Sequence, residues 1–137
     1  MFKVIIAGGR DFYDHELLGR TMDNLLSNIT DEIQVVCGMA RGADSVGDVY
    51  AAEKDYSVKY FPAEWDKYGK SAGYRRNEQM AEYADALVAF WDGKSKGTKH
   101  MIETARKHGL KVRVVPYVFE PIQREPSLFE REVLFDE

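Results

Sequence analysis

The sequence predicts an α/β fold, a single Rossmann-like doubly wound domain with about five mainly parallel strands flanked by about four helices. Three observations support this prediction. Short apolar runs alternate with segments whose apolar residues recur at helical spacing, and several of the transitions from strand to helix pass through glycine-containing turns. The chain has 137 residues and 45% hydrophobic content, which suits one domain with its own core. Strands that alternate with helices form a parallel sheet through right-handed crossovers.

The first part of the chain contains three predicted strands and two predicted helices. The strands are the apolar runs at residues 3–7, 33–37 and 57–61. Asp14 precedes apolar residues at helical spacing and is a favourable N-cap for the first helix. The second helix is predicted over residues 44–55, with Val46, Val49 and Tyr50 as its buried stripe.

The second part continues the same alternation. The predicted helices are residues 72–83 and 98–108, and the predicted strands are residues 86–90 and 112–115. Ser71 is a candidate N-cap for the first of these helices. The strand at residues 86–90 is apolar on both faces, which is typical of an interior strand. Gly109 is predicted to end the last helix, with Leu110 placed for the apolar contact that accompanies a glycine C-cap.

The charge distribution separates a body from a tail. Residues 116–137 contain six acidic and two basic residues, so they carry the whole formal charge of −4 and residues 1–115 sum to zero. The tail also contains apolar residues, namely Leu128, Phe129, Val133, Leu134 and Phe135. We therefore predict a domain over residues 1–115 and a tail that packs on the domain or on a second subunit, in a homodimer or higher homo-oligomer.

Composition excludes several classes of protein. A net charge of −4 and a pI near 5.4 argue against a surface that grips duplex nucleic acid throughout. The chain lacks an apolar run of the roughly 18 to 20 residues that a membrane span needs, and its start lacks a secretion-signal pattern. Cys37 is the single cysteine, and the three histidines have no ligand-spaced partners. We expect a cytoplasmic protein without a metal site or a bound cofactor.

Four turns carry the candidate site. They lie at residues 8–11, 38–44, 68–77 and 92–98, and each contains glycine with arginine, lysine or threonine. In a parallel sheet such turns meet at the carboxyl edge, where glycine admits close backbone approach and helix amides attract anions. A phosphate-bearing small molecule is the predicted ligand. The candidate binding residues in and beside these turns are Gly8, Gly9, Arg10, Asp11, Gly38, Arg41, Gly42, Asp44, Trp65, Lys70, Arg76, Asn77, Trp91, Gly97 and Thr98.

Each residue type suits one part of such a ligand. Arginine offers a planar fork of donors for phosphate, as Arg10 would. Asp11 is predicted either to orient Arg10 or to accept a ribose hydroxyl. Trp65 and Trp91 are candidates for stacking on a base. The alternative for each turn is structural: a strand exit, a capped helix, or cations that point into solvent.

These motifs resemble a known family. The segments at residues 6–12, 37–44, 65–80 and 86–98 together resemble the SLOG superfamily, specifically its YspA-type branch, and the resemblance covers essentially residues 1–115. It implies a Rossmann-like fold that binds nucleotides or nucleotide-derived ligands. It also implies kinship with the LOG phosphoribohydrolases and the DNA-binding DprA proteins.

The likeness to LOG enzymes is incomplete. Residues 76–80 are similar to their Arg-Lys-x-x-Met motif, which implies that Arg76 is the catalytic candidate and that Asn77 replaces the lysine. Residues 93–98 are similar to their Gly-Gly-x-Gly-Thr-x-x-Glu loop, but the glutamate falls at Met101. Glu103 points about 200° further around the helix. A binding module that senses, sequesters or processes its ligand is thus the first hypothesis, and cleavage of an N-glycosidic bond or DprA-like binding of single-stranded DNA are the alternatives.

Overall fold

A computed structural model describes residues 1–38 and 42–118. The elements follow in the order β1 (Phe2–Gly8), α1 (His15–Leu26), β2 (Ile33–Cys37), α2 (Ala43–Glu53), β3 (Ser57–Tyr60), α3 (Trp65–Tyr68), α4 (Ala72–Tyr83), β4 (Ala86–Trp91), α5 (Lys96–Lys107) and β5 (Lys111–Pro116). A short 3-10 helix, Gly69–Ser71, joins α3 to α4. The predicted fold class is confirmed.

The five strands form one parallel sheet in the order β3-β2-β1-β4-β5. β1 lies at the centre, between β2 and β4. The chain first builds outward from β1 to β3 and then returns to the other side of β1 to place β4 and β5. The strand order therefore reverses between β1 and β4, and their carboxyl ends form the crevice where open α/β sheets bind ligands.

Helices cover both faces of the sheet. Side chains of α1 and α2 pack with Val4, Ile6 and Val35 in one buried cluster. Met80 of α4 and Met101 of α5 belong to a second cluster on the opposite face. β4 contributes buried residues to both clusters, so the predicted interior strand is confirmed.

Two predicted helix ends are also confirmed. The carboxylate of Asp14 accepts a hydrogen bond from the backbone N–H of Leu17 at 2.9 Å, so Asp14 caps α1. After α5, Gly109 has φ of +78°. The N–H of Leu110 then donates to the carbonyl of Ala105 at 3.0 Å, which is the arrangement of a glycine C-cap.

The predicted burial of Val49 is wrong. Val49 is 43% exposed, because α2 packs on the sheet through Val46, Gly47 and Tyr50. A Cβ at Gly47 would lie 3.1 Å from the side chain of Ile6, so the absence of a side chain brings this face of α2 close to β1.

The helix α4 begins at Ala72 as predicted, but its predicted cap differs. Ser71 precedes α4 without capping it. Its hydroxyl donates to the carbonyl of Tyr68 and accepts from Nε of Arg75 at 3.1 Å. The preceding segment, predicted as a long turn, contains α3 and the 3-10 helix. The hydroxyl of Ser71 therefore stabilises this segment instead of capping α4.

The last strand and its packing continue past residue 115. β5 continues to Pro116, and the ring of Tyr117 packs edge-on against Phe12 with ring centroids 4.9 Å apart. The apolar residues of the predicted tail lie outside the described residues, so packing of the tail and homo-oligomer formation stay predictions. In the described part of the chain, no helix has the length and apolar character that crossing a membrane requires.

Candidate functional site

A cavity of about 550 Å³ lies at the carboxyl edge of the sheet, beside the ends of β1 and β4. Most of the predicted site residues line it, from all four turns. These are Gly8, Gly9, Arg10, Asp11, Asp44, Trp65, Lys70, Arg76, Asn77, Gly97 and Thr98. The structure therefore brings Arg10, Arg76 and Thr98, which are far apart in sequence, to one cavity.

Four predicted site residues are placed otherwise. Among the described residues, Gly38, Gly42 and Trp91 are not part of the cavity lining. The indole N–H of Trp91 donates to the carbonyl of Ser95 at 3.1 Å. Its ring packs against the core cluster that contains Met80 of α4 and Met101 of α5. A half-buried ring held in this way braces the loop before α5 instead of facing the cavity. Arg41 lies outside the described residues.

The glycines of the first two turns leave room for the protein's own atoms. A Cβ at Gly9 would overlap the hydroxyl of Tyr117, and a Cβ at Gly38 would overlap the guanidinium of Arg76. A Cβ at Gly8 would lie 2.5 Å from the carbonyl oxygen of Phe90. Packing within the protein therefore gives each of these three glycines a reason to lack a side chain, and their contact with a ligand stays a prediction.

Arg76 is the most constrained cation of the cavity. Its Nε donates to the side-chain oxygen of Asn77 at 3.2 Å, and its Nη1 donates to the carbonyl of Gly38. Burial lowers the pKa of Arg76, nearby Asp44 raises it, and Arg10 lowers it further. The side chain joins α4 to the end of β2 and still lines the cavity, so it combines a structural contact with a positive charge at the site.

Arg10 and Lys70 are the exposed cations of the cavity. Arg10 follows β1, and Lys70 lies in the 3-10 helix. Arg75 is different, because its guanidinium lies over the ring of Tyr68 at 4.3 Å and Nε bonds Ser71. Among the described residues, Arg75 is not part of the lining. Charged side chains that do line the cavity are Arg10, Lys70 and Arg76, together with Asp11, Asp44 and Asp92.

Aromatic rings form one wall of the cavity. Trp65 of α3 is 53% exposed and Tyr74 of α4 is 47% exposed, although both are large rings. Tyr74 stacks on His100 of α5 with centroids 4.2 Å apart. Nδ1 of His100 lies 3.1 Å from the amide nitrogen of Asn77, so it accepts this hydrogen bond. Both rings line the cavity and stay about half exposed, with one face of Tyr74 covered by His100, which suits stacking on a planar ligand.

The fourth turn is braced by bonds within itself. One carboxylate oxygen of Asp92 accepts from the backbone N–H of Lys94 and of Ser95, both at 2.9 Å. These backbone hydrogen bonds hold the pKa of Asp92 below its usual range. The hydroxyl of Ser95 caps α5 by accepting from the N–H of Thr98 at 3.4 Å. Gly97 and the buried Thr98 therefore line the cavity from the first turn of α5, which Ser95 caps.

The floor of the cavity is apolar where LOG enzymes have a glutamate. Met101, the residue at that position, is 1% exposed and lines the cavity with Met80. Glu103 is exposed and pairs with Lys99 at 3.9 Å on the outside of α5. The described residues therefore hold no carboxylate at the position of the LOG glutamate.

Sequence reasoning missed Tyr117. Its hydroxyl donates to the carboxylate of Asp11, and burial, followed by this bond, raises the pKa of Tyr117. The residue falls in the segment assigned to the tail, and its only sequence signal is its position directly after the last strand. Within the described ranges, no cluster of three or more His, Cys, Asp or Glu side chains could hold a metal ion.

Comparison with a solved structure supports the fold. DNA processing protein A (DprA) from Streptococcus pneumoniae superposes with a TM-score of 0.66 at 16% sequence identity. The match covers 99% of this chain and 56% of the DprA chain, so this chain spans little more than half the length of that neighbour. At this identity the likeness concerns the fold alone.

Comparison with sequences gives the family. The gene 61 protein of Mycobacterium phage D29 is 34% identical over 118 residues, which cover 82% of this chain and 94% of the phage protein. The family model described as the YspA, cpYpsA-related SLOG family matches residues 2–68. The predicted resemblance is confirmed, and this chain belongs to the YspA, cpYpsA-related SLOG family.

Proposed function

We propose that the cavity binds a nucleotide, or a nucleotide-derived small molecule that carries phosphate. The observation that carries the proposal is the convergence of Arg10, Lys70 and Arg76 with two accessible rings on one cavity at the carboxyl edge of the sheet. Membership of the SLOG family and the DprA-like fold support the coarser statement of a nucleotide-related or DNA-processing role.

The proposed roles follow from chemistry. Arg10 and Lys70 contact phosphate from the exposed side, and the remaining donors of Arg76 contact it from below. Trp65 and Tyr74 stack on the base. The first turn of α5, at Gly97 and Thr98, adds the positive end of the helix dipole.

Calorimetric titration tests the proposal. The purified protein is titrated at low salt with AMP, GMP, ADP-ribose and cyclic dinucleotides. We expect at least one to bind, and Arg10→Ala to weaken that binding by about tenfold or more, because a charge-assisted contact is lost. Arg20→Ala, which removes an exposed arginine of α1, is the matched control and should bind normally. Absence of binding across the panel would contradict the proposal.

Tryptophan fluorescence locates the ligand within the cavity. Stacking of a base on Trp65 should quench the emission of the wild-type protein. Trp65→Phe should lose this quenching, because Trp91, the other tryptophan, is not among the described residues that line the cavity. Quenching that survives in Trp65→Phe would place the base elsewhere.

A second candidate function is cleavage of the N-glycosidic bond of a nucleoside monophosphate. The observation in its favour is that Asp11, Asp44 and Asp92 line the same cavity as Arg76. The apolar Met101 at the position of the LOG glutamate is the reason that binding without cleavage ranks first. Chromatography after prolonged incubation with AMP decides between them. Release of free adenine by the wild type but not by Arg76→Ala would establish hydrolysis. AMP that stays unchanged would favour binding without cleavage.

Binding of single-stranded DNA is the remaining candidate, through the likeness of the fold to DprA. The charged side chains that line the described cavity comprise three bases and three acids, so their formal charge is zero. Retention of a strand depends on excess positive charge and falls steeply with salt. We therefore expect no salt-dependent retention of a labelled oligonucleotide, and strong retention at low salt would favour the DNA role.

A further inference from the structure

We propose that Asp11, positioned by Tyr117, accepts a ribose hydroxyl of the bound nucleotide, so that the cavity prefers a ribonucleotide to its 2′-deoxy counterpart. The inference rests on the proposed function and adds a sugar specificity to it. The observation behind it is a carboxylate that lines the cavity next to Arg10, the proposed phosphate contact, and that accepts a hydrogen bond from Tyr117, 106 residues further along the chain.

Tyr117 is itself firmly placed. Its backbone N–H donates to the carbonyl of Trp91 at 3.1 Å, which continues the pairing of β5 with β4 by one residue. Its ring packs edge-on against Phe12, and Phe12 stacks on Phe90 with ring centroids 4.6 Å apart. The hydroxyl reaches Asp11 over Gly9, where a Cβ would block it. The orientation of the Asp11 carboxylate is therefore set by the packed core beneath it.

The bond also fixes what Asp11 can accept. Burial, and then the bond to Asp11, raise the pKa of Tyr117, so the phenol keeps its proton at neutral pH and acts as the donor. An ionised carboxylate accepts about four hydrogen bonds. The tyrosine supplies one donor, and a ligand that carries further donors can use the others.

The chemistry of the cavity selects a hydroxyl as that donor. A carboxylate repels phosphate, so Asp11 faces a part of the ligand that carries O–H or N–H groups. Arg10, the preceding residue, is the proposed phosphate contact. In a 5′-nucleotide the group attached next to the phosphate is the ribose, whose 2′ and 3′ hydroxyls are donors. When the phosphate binds Arg10, the sugar is therefore the part of the ligand that lies next to Asp11.

The other carboxylates of the cavity are less suited to this role. One oxygen of Asp92 already accepts two backbone N–H groups of its own turn. Asp44 lies in the first turn of α2, and its charge acts on Arg76. Asp11, by contrast, lies in the turn after β1, and its carboxylate is oriented by Tyr117, the residue after β5.

Paired titrations test the inference. The panel member that binds, for example AMP, is compared with its 2′-deoxy form on the wild-type protein, Tyr117→Phe, Asp11→Asn and the control Tyr13→Phe, which changes an exposed tyrosine. We expect the wild type and Tyr13→Phe to favour the ribonucleotide by about tenfold, since a hydrogen bond to a charged group is lost with the 2′ hydroxyl. Tyr117→Phe and Asp11→Asn should bring the ratio close to one.

The outcomes separate the inference from the function on which it rests. Equal affinity of the wild type for both sugars overturns the inference and leaves nucleotide binding intact. Loss of both affinities together in Tyr117→Phe, with the ratio unchanged, shows a purely structural tyrosine and also overturns it. Failure of every nucleotide to bind the wild type overturns the proposed function and the inference together.

Discussion

The turn after β1, residues 8–11, and the turn after β4, residues 92–98, lie at neighbouring strand ends and line the same cavity. They are held in different ways. In the turn after β1, the N–H of Gly9 donates to Phe90 of β4, the carbonyl of Gly9 accepts from Ala43 of α2, and Asp11 accepts from Tyr117. The bonds that Asp92 and Ser95 make in the turn after β4 stay within a few residues, and from another element the side-chain amide of Asn77 in α4 donates to the carbonyl of Gly97 at 3.4 Å.

One cavity thus combines a turn held mainly by other elements with a turn held mainly by side chains of its own sequence. The first is sensitive to substitutions at distant positions, because its backbone has partners on other elements. The second depends on side chains that cap and close it locally. Substitutions in each turn should therefore differ in the size and the source of their effects.

The largest effect is expected where the first two turns meet. Gly42 has φ of +75°, and a Cβ there would lie 2.6 Å from the carbonyl carbon of Arg10. Gly42→Ala should lower the free energy of unfolding by about 3 kcal/mol, because backbone strain adds to a clash with backbone. Gly93→Ala is the matched control, since Gly93 has φ of +83° but no atom within 4 Å of a Cβ. It should cost about 1 kcal/mol. Urea unfolding measures the free energy of unfolding of both variants, and equal losses in the two would contradict the prediction.

The next effect concerns Tyr117, which directly follows β5. Tyr117→Phe removes the bond to the Asp11 carboxylate and should lower the free energy of unfolding by about 1.5 kcal/mol. Tyr13→Phe, at an exposed ring, should leave it unchanged. Chemical denaturation compares the two variants. An unaffected Tyr117→Phe would mean that the first turn does not depend on the residue that follows β5.

A smaller and pH-dependent effect is expected at Asp92. Asp92→Ala removes an acceptor of two backbone bonds and should cost about 1 kcal/mol at pH 7. Because the folded protein lowers the pKa of Asp92, its contribution is complete above the ordinary aspartate pKa near 4 and is lost as the pH falls below it. Denaturation of both proteins between pH 7 and pH 2.5 measures this difference. A gap that stays constant over that range would contradict the assignment, and exposed Asp31→Ala provides the control.

The smallest effect should be a gain. Gly97 lies in the first turn of α5, and a Cβ there would have no atom within 4 Å. Gly97→Ala should raise the free energy of unfolding by about 0.5 kcal/mol, since alanine favours the helix. Titration of the same variant with the nucleotide that binds shows whether the added methyl obstructs phosphate. A destabilised variant would mean that the added Cβ disturbs the start of α5 or its bond from Asn77.

Features that depend on neighbours in sequence were predictable. The alternation of strands and helices, the Asp14 cap and the glycine end of α5 follow from periodicity and capping, which act over a few residues. The convergence of the four turns also follows, because parallel strands place their carboxyl ends on one edge. The prediction failed at Val49, where the close approach of Gly47 to Ile6 turned α2 so that the valine faces solvent.

The family, the parallel sheet and the turns that meet at its edge could be inferred from the residues alone, because periodicity and glycine motifs are local and need no knowledge of packing. Which side chains face the cavity depends on how the elements pack. It turned Trp91 into the loop brace, bound Arg76 to Gly38, and brought Tyr117 over Gly9 to Asp11. Those outcomes depend on contacts between residues up to 106 positions apart, and such contacts exist only after the sheet and its helices have packed.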